Sequence, residues 1–129
     1  MPESLLIAED DLLLLPLLLA TFRTSGLRLI TAGTGTKALD LARAERPDLV
    51  LLDVGLPELN GYQVCKALKT DPATASIQVV MLTARAGPAD QRLAAAAGAD
   101  AYLTKPLDVD EFLATIERFL PGAPVGGHA

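Results

Sequence analysis

"DLVLLDVGLPELNGYQV", residues 48–64, decides the fold. Its first half is a run of leucine and valine that carries the acid Asp53 near its far end and breaks at Gly55 and Pro57. A short apolar run bounded by turn residues reads as a buried strand, here 48–54. Asn60 can then cap a helix over 60–70. A strand apolar on both faces, followed by a helix, is the repeating unit of a parallel sheet. Asp53 is the anomaly, because a charge at a buried strand end is costly unless something pairs with it.

The same alternation extends outward in both directions. "SLLIA" (4–8), "LRLITA" (27–32), "IQVVMLTA" (77–84) and "AYLTKP" (101–106) read as further strands. Helical segments fall between them at 11–25, 35–46, 88–97 and 108–120. Their ends carry physical signals. Asp10 or Asp11 can cap the first helix and Gly26 stops it; Thr34 or Thr36 starts the second and Pro47 ends it; Gly98 closes the fourth; Asp108 caps the fifth. The order βαβαβαβαβα predicts an α/β domain, a parallel sheet covered by helices on both faces. One domain over 1–120 is expected, with "PGAPVGGHA" (121–129) as a flexible tail or the start of a linker.

Composition excludes several classes. The chain has 129 residues, half of them hydrophobic and 21% charged, which suits one domain with an aliphatic core. A net charge of −5 disfavours direct binding to nucleic acid or to an anionic membrane. Cys65 is the only cysteine, so no internal disulfide can form, and its spacing with Val64 and Leu68 puts it on the inner face of its helix. His128 lies in the tail and carries no catalytic expectation. Acids follow the first apolar run where a secretion signal would show basic residues ahead of one. A cytoplasmic protein is therefore expected.

"EDDLLLLPLLLA" (9–20) poses a local question, because three acids run into a leucine-rich segment. The segment is too short for the ~20 residues of a membrane-spanning helix. Helical periodicity puts Leu14, Leu17, Leu18, Thr21 and Phe22 on one face, taken as the core face. Leu12, Leu15 and Leu19 form an outer stripe. Either these are scattered exposed leucines, or they form a surface on which a partner's helix docks.

Open parallel sheets bind ligands beyond the carboxyl ends of their strands. The residues there are Glu9, Asp10 and Asp11 after the first strand, Asp53 on the third, Thr83 on the fourth and Lys105 on the fifth, followed by Pro106. Crowded carboxylates repel unless a cation joins them. A hard divalent cation with oxygen ligands suits that set. A carboxylate can also act as a nucleophile and become an aspartyl-phosphate. Lysine offers a compact charge to phosphoryl oxygens and threonine offers a donor. Phosphoryl transfer needs mainly positioning and charge neutralisation.

With "LLIAEDD", "DLVLLDVGLPELNGYQV", "VVMLTA" and "GADAYLTKPLDVDEF" in this order, the chain resembles the receiver domain of bacterial two-component response regulators, up to about Leu120. The resemblance implies a flavodoxin-like three-layer fold with strand order 2-1-3-4-5. It implies Asp53 as phosphoacceptor, with Thr83 and Lys105 contacting the phosphoryl group. Glu9, Asp10, Asp53 and the Gly55 carbonyl would hold Mg²⁺ (or Mn²⁺). Thr83 and Tyr102 are the implied switch residues, and the Lys105–Pro106 bond is implied to be cis. A histidine kinase or histidine phosphotransfer protein is the implied donor. The domain is implied to be a phosphoaccepting switch with its own autophosphorylation and autodephosphorylation activity, and not a turnover enzyme. The face built from helix four, strand five and helix five is the implied output surface and a route to a homodimer. Two positions depart from the usual pattern: Glu9 stands where Asp is commoner, and Gly55 where many receivers carry a larger side chain. An open mouth and rapid loss of phosphate to water are the expected consequence of Gly55.

Three other readings compete. A phosphorylation-independent pseudo-receiver would not need the set Asp53, Thr83 and Lys105. An aspartyl-phosphate phosphatase would place a second acid two residues after the nucleophile, where Gly55 stands. A flavin-binding protein would carry small hydroxyl residues after the first strand, where this chain has acids.

Overall fold

The computed structural model describes residues 3–23, 25–84 and 87–121. The tail predicted to be flexible, including His128, lies outside them apart from Pro121. Five strands alternate with five helices: β1 Ser4–Ala8, α1 Leu14–Phe22, β2 Arg28–Ala32, α2 Gly35–Glu45, β3 Leu49–Asp53, α3 Gly61–Thr70, β4 Gln78–Thr83, α4 Pro88–Ala97, β5 Ala101–Thr104 and α5 Val109–Phe119. The strands form one parallel sheet in the order β2-β1-β3-β4-β5, as expected. β1 and β3 are buried along their whole length.

Alternation along each strand divides the core in two. Leu6, Val50, Leu52, Val79 and Met81 face α2, α3 and α4, where Leu39, Val64, Cys65 and Leu68 meet them. Leu5, Ile7, Leu49, Leu51, Val80 and Leu82 face α1 and α5, against Leu18, Phe22, Phe112 and Ile116. Phe22 and Phe112 join the two helices of that layer, with ring centroids 6.0 Å apart. Cys65 is fully buried and its thiol is pushed up to about 11 by burial, which makes it a core residue as expected.

Local chemistry sets the helix ends. Thr34 accepts from Lys37 N–H and Asp108 from Glu111 N–H. Asn60 and Gln63 form a reciprocal capping box. Arg46 and Gly98 close α2 and α4 in the left-handed conformation.

The first helix departs from expectation. It begins at Leu14, not residue 11. Asp11 Oδ1 takes the N–H groups of Leu13 and Leu14, so Leu12 and Leu13 sit in a turn ahead of the helix. The buried arc is also rotated. Leu18 and Phe22 are fully buried, and Leu14, Leu15 and Leu19 pack against the same cluster. Leu17, expected in the core, is 66% exposed, and Leu13 is 83% exposed. Of the predicted outer stripe only Leu12 stands in solvent, while Leu15 and Leu19 are half-buried. The helix packs on the sheet beside α5, and that position favours the arc Leu14, Leu15, Leu18, Leu19, Phe22.

Two glycines allow α2 and α3 to approach the loop after β3. A Cβ on Gly35 would stand 1.8 Å from Leu59 O. One on Gly61 would stand 2.6 Å from Asp53 O and 2.8 Å from Val54 Cα. Gly61 N–H also donates to Val54 O, so α3 starts directly against the end of β3. Gly61→Ala is expected to cost about 1–3 kcal/mol of unfolding free energy, although alanine is the better helix former. Gly55→Ala, whose Cβ would meet only Asp53 Oδ2 at 3.8 Å, is expected to change stability by under about 0.5 kcal/mol. Urea melts of both variants check the contrast; equal losses would rule out the close approach as its cause.

Candidate functional site

Register brings the polar residues to one edge. β1 pairs with β3 so that Ala8 faces Leu52, and Glu9 therefore comes level with Asp53. Asp53 pairs with Leu82, and Thr83 pairs with Thr104, so Thr83 and Lys105 each lie one step further out. The sheet hydrogen bonding runs on through these residues: Glu9 N–H donates to Ala32 O, Val54 N–H to Leu82 O and Lys105 N–H to Thr83 O at 2.7 Å. The backbone under the site is thus held as firmly as the sheet.

Lys105 is the hub of the side chains. Its Nζ lies 2.7 Å from Glu9 Oε1 and 3.2 Å from Asp53 Oδ1. The second Glu9 oxygen accepts the Asp11 N–H at 3.2 Å, and Asp53 Oδ1 also takes the Gly55 N–H at 3.3 Å. Glu9 and Asp53 are buried, as is Thr83 at the next strand end, while Asp10 is exposed. Burial pushes the Glu9 carboxyl above the ordinary range, and the Lys105 ammonium restrains that rise. Burial alone would lower the lysine, but the hydrogen bond to Glu9 and the charge of Asp53 outweigh it and hold the ammonium above its usual value. Lys105–Pro106 is a cis peptide bond.

Glu9, Asp10 and Asp53 each present a carboxylate oxygen within 4.8 Å of the others. Three carboxylates against one ammonium leave two negative charges. The donors are hard oxygens, and the residual charge is balanced by one divalent cation of the magnesium type. The residues present therefore fit such an ion.

Beside the carboxylates a cleft of ≈ 380 Å³ opens, lined by Asp53, Gly55, Thr83 and Lys105 and, from α4, by Asp90 and Leu93. Gly55 is exposed and leaves the Oδ2 side of Asp53 uncovered. The sequence reading did not single out Asp90 and Leu93; their only signal was a place in the early turns of the helix that follows Thr83. Tyr102 lies away from the cleft, half-buried on β5 against the alanines of α4. Pro106 and Lys105 also line a second, apolar groove with Leu13, Leu14 and Leu17.

Comparison with known proteins gives the family to which this fold, with its edge of acids, threonine and lysine, belongs. The chain belongs to the response regulator receiver domain family, whose profile matches residues 5–117. It is 41% identical over 123 residues to the polar-differentiation response regulator DivK of Brucella anthropi, spanning 95% of this chain and all of that protein. Its structure superposes on chemotaxis protein CheY4 of Vibrio cholerae with a TM-score of 0.84 and 27% identity, covering 93% of this chain and 100% of that one. The receiver domain of the sensor histidine kinase PA1611 from Pseudomonas aeruginosa matches with a TM-score of 0.84 and 26% identity, over 94% and 99% of the two chains. That structure holds a magnesium ion coordinated in its active site cleft. Among the described residues no helix is long and apolar enough to cross a membrane.

Lys105→Met removes the shared cation and leaves two buried carboxylates facing each other. A loss of about 1–3 kcal/mol is expected, below that of a fully buried pair because the lysine keeps 21% of its side-chain surface in water. Adding Glu9→Gln should recover part of it, as coupled sites do. Additive losses in a double-mutant denaturation cycle would show that the two residues do not act as a pair.

Proposed function

We propose that this receiver is a phosphorylation switch in which Asp53 accepts a phosphoryl group from a phosphohistidine of a histidine kinase or phosphotransfer protein. The observation that carries this reading is the placement of Asp53: a buried carboxylate with Lys105 Nζ at 3.2 Å, Thr83 on the next strand end and an open cleft on its Oδ2 side. A carboxylate oxygen of Asp53 forms the new bond to phosphorus as the donor P–N bond breaks. The electron pair of that bond stays with the imidazole, which leaves with a proton from solvent.

Lys105 and Thr83 are suited to hold the arriving oxygens, because the group adds about −1.5 to −2 units of charge. To face the phosphoryl group, Lys105 loosens its hold on Glu9. Asp10 and Asp53, with Glu9 and the Gly55 carbonyl, would hold Mg²⁺ or Mn²⁺, which supplies charge neutralisation at the phosphoryl oxygens. Contacts of Thr83 made only in the phosphorylated state shift the equilibrium between two arrangements. Tyr102, packed beside α4, is the residue through which that shift reaches the face of α4, β5 and α5, where an output partner or a second copy would bind.

The donor protein docks on the other side of the cleft. Leu12, Leu13, Leu17 and Val109 are all strongly exposed. Leu13, Leu17 and Val109 line the apolar grooves at α1 and α5, next to Lys105 and Pro106. Leu13 and Leu17 thus replace Leu15 and Leu19 as the docking residues.

With acetyl phosphate and Mg²⁺, mass spectrometry should find one phosphoryl group on Asp53. The label should be absent from Asp53→Ala and lost when a chelator removes the metal. An unlabelled wild-type chain would return the pseudo-receiver reading. Leu13→Glu with Leu17→Glu should slow transfer from a phosphorylated donor protein at least about tenfold, since charges buried in an apolar contact cost more than the ~1.4 kcal/mol that tenfold represents. Labelling by acetyl phosphate should be unchanged. Equal loss in both assays would exclude docking as the cause.

A further inference from the structure

The far wall of the cleft carries an acid that the phosphoryl-accepting set does not use. Asp90, in the first turn of α4, lines the cleft together with Asp53 and Lys105. It is half-buried. A Cβ built on Gly87 would stand 3.3 Å from its Oδ2, so the carboxylate curls back over the start of the helix. Among the described residues that line the cleft, the charged ones are Asp53, Asp90 and Lys105. Lys105 is already shared between Asp53 and Glu9. Among the described residues no ion pair reaches Asp90. Among the described charged groups lining the cleft, its carboxylate is the one that Lys105 does not engage.

We propose that Asp90 sets which phosphodonors the cleft accepts, disfavouring strongly anionic small molecules relative to a phosphoryl group carried on a neutral leaving group such as imidazole. This rests on the reading of Asp53 as phosphoacceptor. Acetyl phosphate enters as a dianion near neutral pH, whereas phosphoramidate enters as a monoanion. Repulsion across a cleft of this size, at a dielectric between that of protein surface and water, amounts to about threefold in rate per unit of donor charge. A donor protein escapes most of this, because docking on α1 and α5 supplies its binding energy away from Asp90.

The competing role is structural: an acid in the first turn of a helix meets the positive end of the helix dipole. That role predicts the same effect on every donor. The test measures the rate of Asp53 phosphorylation in the full chain with Mg²⁺, using acetyl phosphate and phosphoramidate, at low and high salt. The proteins are wild type, Asp90→Asn and Asp90→Glu. Asp90→Asn should speed acetyl phosphate about tenfold and phosphoramidate about threefold. The gap should narrow as salt screens the charge, and Asp90→Glu should behave as wild type. No change, an equal change for both donors, or a gap indifferent to salt overturns the role of Asp90 alone. A wild-type Asp53 that neither donor labels overturns the phosphoacceptor reading and this inference with it.

Discussion

The ammonium of Lys105 allows two carboxylates to share the buried end of the sheet. Glu9 and Asp53 stand level on neighbouring strands because β1 and β3 pair with Ala8 opposite Leu52. Without a cation between them, one would have to take up a proton or move into water. Lys105 comes from the far side of β4 and is 96 residues from Glu9 and 52 from Asp53 along the chain. No local segment can assemble that triplet. It exists only when the sheet is complete from β1 to β5, so the site reports on the integrity of the whole fold.

The rest of the molecule serves to keep that polar edge isolated. The strands are apolar on both faces, and nearly all of the buried charge sits where they end. Burial of leucine and valine at ~25 cal/mol per Å² of apolar surface is the stabilising term that offsets the cost of the carboxylates. Close approach does the positioning. Gly35 and Gly61 let the loop after β3 lie against the starts of α2 and α3. The capping box of Asn60 and Gln63 then fixes where α3 begins. The backbone around Asp53 is thereby held from the strand side and from the helix side at once.

Much of this was legible in the sequence, for reasons particular to its elements. The runs at 4–8 and 48–54 are continuous and bounded by polar residues, so strand type and burial followed directly. The acids, Thr83 and Lys105 could be placed because each directly follows or ends such a run. The α1 face was not legible. Leucine occupies nearly every position from 12 to 19, so periodicity cannot choose a side, and packing against α5 made the choice. The start of α1 depended on the Asp11 side chain reaching two N–H groups further on, and sequence did not distinguish that from a cap at Asp10. The place of Asp90 depended on how α4 lies over the sheet, which no local pattern encodes.

The exposed leucines follow from the same geometry. Among the described residues four of the five strongly exposed large hydrophobics, Leu12, Leu13, Leu17 and Val109, gather where α1 and α5 begin, and the fifth, Leu93, lines the cleft beside Asp53. Each forgoes part of the roughly 1.5–3 kcal/mol that full burial supplies. Single exposed leucines need no explanation, but a cluster beside a functional edge does. Lys105 lines both the cleft and the apolar groove beside Leu13 and Leu17. One residue thus joins the carboxylate pair, the chamber in front of Asp53 and the exposed leucine cluster. A partner seated on the leucines would exclude water from the Lys105 side of the site. The electrostatic hold of the ammonium on whatever oxygens it faces would then strengthen, and binding at the groove would be felt at Asp53 without any rearrangement of the sheet.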